Sequence, residues 1–398
     1  MIKTTPRFTK DFMVRYRNEV SVKKVFKEIC EINQFVPYES KRIFEYYFSL
    51  NNIIKLTLLP ANYLKWYVKE LEINLPIIIQ RYNPTILLTD FDISKLSMLP
   101  ESTRNKADKL KVIDCLQLVI AELNRIKCVK NEIIVDELIS YINNSTLPGD
   151  IRKSLEKVKG FLNGKPGVLN EIYPTKFPIW VNMLEKAFDY EHVSKKFGHE
   201  INGFYNIGYC PYCNDEPIHS IQSTRKTFRP PLDHFLPKAL YPFLAVSIYN
   251  LIPSGTRCNN SFKLMRDTRT ASNPNLITDQ IPHQAVFLIN YIPDVKISTN
   301  NISIDILNVS EKFKVNTEIF GLYDVYNKPD TKQEVAWIME RIEFLRDSGT
   351  LNETLNDFNR FYLHLKIQLG EKANNFRWKK LLLDTVNQMT NSSFNACI

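Results

Sequence analysis

No stretch of the 398-residue chain approaches twenty apolar residues, so no segment is long enough to cross a bilayer as a helix. Met1-Ile-Lys-Thr-Thr-Pro-Arg7 and the following Lys10-Asp-Phe-Met-Val-Arg-Tyr-Arg17 contain no uninterrupted apolar region, which excludes an ordinary secretory signal. The seven cysteines are odd in number and irregularly spaced, so they form no disulfide framework. Cys30, Cys115, Cys128 and Cys397 read as free thiols in a reducing compartment. These absences together predict a soluble, cytoplasmic protein with no membrane contact. A phosphate-cradling glycine loop is also missing. The nearest approach, Gly160-Phe-Leu-Asn-Gly164-Lys165-Pro166, has three residues between its glycines rather than four. It also carries proline where a magnesium-binding hydroxyl belongs, so it reads as a linker.

What is present is material for a proper core, with 44% hydrophobic and 12% aromatic residues. The length exceeds what one core usually serves and predicts two or three domains. A net charge of +9 and a pI near 9.0 favour a polyanionic partner. Residues 1–165 read as a helical N-terminal domain without a catalytic constellation. Val22, Val25, Phe26 and Ile29 recur at helical spacing, as do Leu110, Ile113, Leu116, Val119, Ile120 and Leu123. Pro60, Pro76, Pro84 and Pro100 divide the region into single helices. The aromatics of Tyr63-Leu-Lys-Trp-Tyr-Val-Lys69 are expected in the core.

Chemistry concentrates between Phe204 and Arg266. In an extended segment the adjacent Asp233 and His234 diverge, so one can hold a cation while the other faces water. An imidazole titrating near neutrality is a base at cellular pH. If a helix begins near Cys258, Asn259 lies one turn before Lys263 on the same face. A base, oxygen ligands for a divalent ion and backbone-positioning cations are what phosphodiester hydrolysis requires. The purely structural alternative has His234 bonded in a turn and Asn259 capping a helix.

In order, Leu232-Asp233-His234-Phe235-Leu236-Pro237, then Asn250, then Cys258-Asn259-Asn-Ser-Phe262-Lys263 resemble the HNH endonucleases, the ββα-metal nucleases, in a form reading Asp-His, Asn, Asn. Asn259 stands nine positions after Asn250, as the family has it. The resemblance implies Asp233 and Asn259 as ligands of a catalytic Mg2+ or Mn2+, and His234 as general base. It implies Asn250 as the brace of the loop between the strands, orienting that base. The fold implied is α+β, mainly helical, with a central ββα-metal core over residues 166–275 and a small sheet after it.

Many such nucleases fasten the core with zinc held by two Cys-x-x-Cys knuckles. Cys210-Pro-Tyr-Cys213 matches one knuckle, but Gly255 stands where the other would have its first cysteine before Cys258. Either Cys210, Cys213 and Cys258 hold structural Zn2+ with a fourth ligand, for which His219 is one candidate, or they persist as a small buried cluster. Arg225, Lys226, Arg229, Lys238, Arg257, Lys263, Arg266 and Arg269 bracket the pair. Of these, Arg229, Lys238, Arg257, Lys263 and Arg266 are the expected nucleic-acid contacts, which position a backbone without reading sequence.

The lead-in Ile172 to Tyr190, with Val193 to Phe204 after it, is similar to what precedes the core in Septu-type anti-phage defence HNH proteins. His192 and His199 within it are given no role. Residues 276–398 continue that similarity: strands at Phe287–Tyr291, Val295–Ser298, Ile302–Ile306 and Phe313–Val315, the run Phe320-Gly-Leu-Tyr-Asp-Val-Tyr326, and helices at Thr331–Arg346, Leu351–Leu369 and Phe376–Met389, packing with the core. His283 and His364 read as structural. The resemblance implies a DNA-cleaving effector working with a separate ATPase or sensor protein of a defence operon. An RNA-cleaving or host-directed nuclease, and a degenerate module kept as a nucleic-acid or partner scaffold, stand beside it. A nuclease that damages its host needs restraint, and the N-terminal helices are where restraint is expected.

Overall fold

The computed structural model describes residues 3–83, 86, 89, 91–129, 133–162, 176–222, 227–269, 274–279, 286–292, 295–307 and 310–395. Arg225, Lys226, His283, Cys397, Pro84 and most of the Gly160–Pro166 linker lie outside them. The chain enters through α1 (Lys10–Tyr16), where Thr9 accepts a bond from the Phe12 amide at 3.2 Å and caps the helix. A wide π-type segment, Arg17–Phe26, joins α1 to α2 (Lys27–Ile32). Phe12, Tyr16, Val20, Val25, Ile29 and Ile32 are buried. The five-residue step from Val20 to Val25 falls inside that segment, whose i→i+5 bonding keeps the apolar stripe on one side. Four more helices follow: α3 (Tyr38–Tyr47), α4 (Leu50–Thr57), α5 (Leu64–Asn74) and α6 (Pro76–Tyr82), the last opened by a proline at its first position. On α5 Tyr67 is buried, but Trp66 and the preceding Tyr63 are exposed, which corrects the expectation that all three lie in the core.

The hydrophobic interior does not divide at residue 165. Residues of α1 to α6 share one core with Trp180 through Val386. A second core is built from α7 (Lys106–Val129), α8 (Ile133–Asn143) and α9 (Pro148–Leu162), together with Phe91, Leu96 and Phe177. The inner face of α7 is Val112, Cys115, Val119, Leu123 and Ile126, whereas Leu110 and Ile113 are exposed. The helix is where its periodicity predicts, but the buried stripe is rotated. Leucine and isoleucine on the rim carry the same period as those inside.

After α10 (Ile179–Asn182) and α11 (Leu184–Ala187) comes α12 (Tyr190–Tyr205), capped by Asp189 on the Glu191 amide at 2.9 Å and closed by Asn206 in the left-handed region. Among the described residues, three separate two-stranded antiparallel sheets follow: β1 (Ile221–Gln222) with β2 (Thr227–Phe228), β3 (Leu232–His234) with β4 (Leu251–Pro253), and β5 (Phe287–Tyr291) with β6 (Ile302–Ile306). The last hairpin alternates inward and outward and lies on α18 (Lys379–Thr390), whose Asp384 accepts the Val286 and Phe287 amides at 2.9 and 3.0 Å. Before α18 come α13 (Glu311–Ile319), α14 (Leu322–Tyr326), α15 (Pro329–Asp347), α16 (Leu351–Asn356) and α17 (Phe358–Leu365). The chain is thus mainly helical and α+β.

Four C-terminal expectations are corrected. Val295–Ser298 is not a strand, and Phe313–Val315 belongs to α13, because three alternating residues do not distinguish a period of two from a helical turn. The long helix from Leu351 breaks at Asp357, which turns its carboxylate onto the Asn359 and Arg360 amides and starts α17. The last helix begins at Lys379, since Trp378 before it has a positive φ.

Candidate active site and metal centre

Asp233 and His234 lie on β3, opposite Ile252 and Leu251 of β4. A helical turn with π-type bonds, Cys258–Lys263, follows β4 and ends where the Leu264 amide reaches the Asn259 carbonyl at 3.1 Å. The local order is therefore strand, strand, helix. Behind it runs α12, whose Tyr205 hydroxyl donates to the Leu251 carbonyl at 2.6 Å. Gly198 lets Arg229 cross that helix closely, because a Cβ there would stand 2.5 Å from Arg229 Nε.

Between the strands, residues 235–250 form a loop that Asn250 closes from inside. Its Oδ1 accepts from the Leu236 amide at 2.8 Å, and its Nδ2 donates to the carbonyls of Leu236 and Leu244 at 3.0 and 3.1 Å. Its own carbonyl takes the Phe235 amide at 2.8 Å. Through these four bonds Asn250 holds the loop backbone from inside. The carbonyl next to the one it holds, that of Ala245, lies 3.0 Å from His234 Nε2. A carbonyl only accepts, so Nε2 carries the proton and Nδ1 the lone pair. The ring stands edge-on to Tyr190, with centroids 4.4 Å apart. Burial lowers the His234 pKa to about 4, against a smaller upward pull from the Ala245 carbonyl and Asp233. The imidazole is therefore neutral at cellular pH.

Asp233 is 2% exposed, and both its oxygens are engaged. Lys263, 1% exposed, puts its Nζ 2.8 Å from Oδ1 and also donates to the His234 carbonyl, while the Tyr212 hydroxyl donates to Oδ2. Burial first and the Asp233 charge second hold the Tyr212 phenol protonated. A cation therefore already rests on the carboxylate where the resemblance implies a divalent ion. The hard oxygen donors of Asp233 and Asn259 suit Mg2+ or Mn2+, and Lys263 must withdraw for such an ion to reach Oδ1. Asn259 is half-buried on the helical turn.

The other expected cations divide. Lys238 and Arg266 are exposed, with Lys238 Nζ 4.9 Å over the Tyr190 ring. Arg229 is spent on Ser194 and the Pro230 carbonyl, and Arg269 on Glu72 at 3.1 Å. Arg257 turns inward to Asp215 at 2.7 Å and to Cys213 Sγ at 3.6 Å. Asp215, 2% exposed, also receives Lys328 and Arg377 at 2.7 Å each and the Trp378 indole at 3.1 Å. Burial opposes its ionisation, but these cations outweigh burial and hold its carboxyl below the usual range.

Cys210, Cys213 and Cys258 are buried, with their sulfurs all within 4.8 Å of one another, and the six described cysteines are unpaired. Hydrogen bonds from the Cys210 and Cys258 thiols pull the Cys213 pKa well down. Cys258 is pushed up by the same bonds, and Cys210 chiefly by burial. The triad suits a thiophilic metal ion. His219 is exposed against Tyr209 and does not belong to the triad. Behind the knuckle Tyr212 stacks on Phe320 at 4.4 Å, and the Tyr326 hydroxyl donates to the Cys213 carbonyl at 2.6 Å.

Sequence reasoning missed Tyr212, Tyr190, Asp215 and Glu216 as parts of this site. Tyr212, Asp215 and Glu216 were within reach, standing inside or just after the Cys210-Pro-Tyr-Cys213 knuckle. No protein-family model matches the chain, and no curated protein or solved structure is significantly similar to it.

Proposed function

We propose that the chain is a metal-dependent HNH-type endonuclease that hydrolyses phosphodiester bonds of DNA, acting as the effector of an anti-phage system with a separate ATPase or sensor. The observation that carries this reading is the meeting of Asp233, His234 and Lys263 at one strand end beside a loop braced by Asn250, through bonds spanning up to 30 positions. In it, His234 Nδ1 takes a proton from water and the hydroxide attacks phosphorus in line, expelling the 3′ oxygen. The Ala245 carbonyl holds the opposite edge of the ring and fixes the tautomer. Asp233 and Asn259 would hold the divalent ion, which would supply Lewis-acid stabilisation of the developing phosphorane charge. Lys263, once released from Asp233, would steady the phosphate, and the exposed Lys238 and Arg266 would track the flanking backbone.

Supercoiled plasmid incubated with Mn2+, Mg2+ or EDTA tests this, alone and with co-expressed partner proteins. Cleavage is expected to need metal, to fall by about 10²- to 10⁴-fold in His234→Ala and to vanish in Asp233→Ala. Cleavage that survives in both variants overturns the assignment. A structured RNA assayed beside the plasmid identifies an RNA-directed enzyme. One observation favours a second reading, a degenerate module retained as a nucleic-acid or partner scaffold: Lys263 and Tyr212 seal Asp233 from solvent. DNA binding without cleavage under every metal and partner combination selects it.

A further inference from the structure

A structural metal site on the cysteine triad needs a fourth donor, and the residue that stands in the vacant place of the broken second knuckle is Glu216. A Cβ built on Gly255 would lie 2.2 Å from Glu216 Oε2 and 2.4 Å from its carboxyl carbon. That is little more than a carbon–sulfur bond, so the carboxylate fills the room a cysteine side chain at 255 would take. Gly255 stands three residues before Cys258, and its carbonyl accepts the Asn259 amide at 3.0 Å, which ties this point to the turn that carries Cys258. Glu216 is fixed there from both ends of its own residue: its carbonyl accepts the Cys210 amide at 2.9 Å, and its carboxylate accepts the Thr256 and Arg257 amides at 2.7 and 3.2 Å.

Glu216 lies outside the 4.8 Å cluster of the three sulfurs and must leave the two amides to join it, whereas the other neighbouring donors are held by charged or buried partners or face away. Asp215 is held by Arg257, Lys328 and Arg377, Tyr212 by Asp233, and His219 faces outward. We propose that Glu216 is the fourth ligand of a Cys3Glu zinc site with Cys210, Cys213 and Cys258, and that glycine at 255 is what admits it. Binding draws the carboxylate inward from the two amides it now caps. The inference rests on the triad holding a metal and is independent of the nuclease reading.

The test uses the full chain, with zinc content by mass spectrometry, chelator competition, and Co2+ replacement read by absorption. One zinc per chain is expected. The azide anion, which enters a site open to water, is expected to leave the Co2+ spectrum of the parent chain unchanged and to shift that of Glu216→Gln. Glutamine still accepts from the two amides but is a poor zinc ligand, so zinc affinity should fall by about 10- to 100-fold or more while the helix cap persists. Should Glu216→Gln fail to fold, Glu216→Ala with Gly255→Cys is expected to fold, retain zinc and show the stronger charge-transfer bands of four thiolates. A double variant without zinc overturns the proposal. Parent-level affinity in Glu216→Gln, or an azide response in the parent chain, sinks Glu216 as ligand while leaving a three-thiolate site. A parent chain that takes up neither zinc nor cobalt ends both.

Discussion

At the scale of single residues, the ion pair between Lys263 and Asp233 makes the sharpest prediction. Both partners are buried, so removing one leaves an uncompensated charge, which costs about 3–5 kcal/mol. Lys263→Met is therefore expected to be strongly destabilised in EDTA. If Asp233 is a metal ligand, Mn2+ should restore much of that loss and stabilise the variant more than the parent, because the ion replaces the ammonium. Chemical denaturation with and without Mn2+ measures it, and equal effects on both chains remove Asp233 from the metal site. His234 sets a pH dependence. Its folded pKa, about 4, lies below the ordinary 6.5, so between those values the unfolded chain binds a proton that the folded chain refuses. Stability from this group is complete above about pH 6.5 and is lost as pH falls toward 4, on the order of 3 kcal/mol. The slope of denaturation midpoint against pH should flatten across that window in His234→Gln.

At the scale of elements, the β3–β4 pair is only three residues long on each strand, and the Asn250 side chain ties three backbone groups of the loop between the strands. Asn250→Ala leaves the Leu236 amide and the Leu236 and Leu244 carbonyls without that partner. At about 1–3 kcal/mol for each buried unsatisfied group, the loop should loosen before the rest of the molecule unfolds. Hydrogen exchange is expected to rise across residues 235–250 while α12 stays protected. Uniform protection in the variant would show that the strands and the loop's bonds to Tyr16 and Leu56 hold it without Asn250.

At the scale of the molecule, the N-terminal helices are part of the same interior as the site rather than a cover laid over it. The Tyr16 hydroxyl donates to the Val246 carbonyl at 2.6 Å, Ser247 donates to the Leu56 carbonyl at 2.8 Å, and the Tyr82 hydroxyl donates to Val181 at 2.7 Å. Phe12, Tyr16, Val20, Val25, Ile29 and Ile53 are buried in that core. At about 1.5–3 kcal/mol for each side chain, six of them rival the whole net stability of a domain. Deleting residues 1–165 is thus expected to give an aggregating chain, not a nuclease released from restraint. A soluble, cooperatively melting truncation would show otherwise. The bundle of α7 to α9, with a core of its own, is the part more separable from the site.

The sequence by itself determined what is local. The Asp233-His234 pair, the Cys210–Cys213 knuckle, the β5–β6 hairpin and most helices follow from side-chain chemistry and periodicity within a few residues. The tertiary structure decided which partner each charge meets. Lys263 reaches Asp233 from 30 positions away, Arg257 reaches Asp215 from 42, and Arg377 reaches Asp215 from 162. It also decided that Glu216 fills the room beside Gly255 and that α1 to α6 complete the core around the site. A cation's preference for an anion is written in its residue type, but the choice among many anions depends on which segments share a low-dielectric interior. That choice arises only when remote apolar faces pack together.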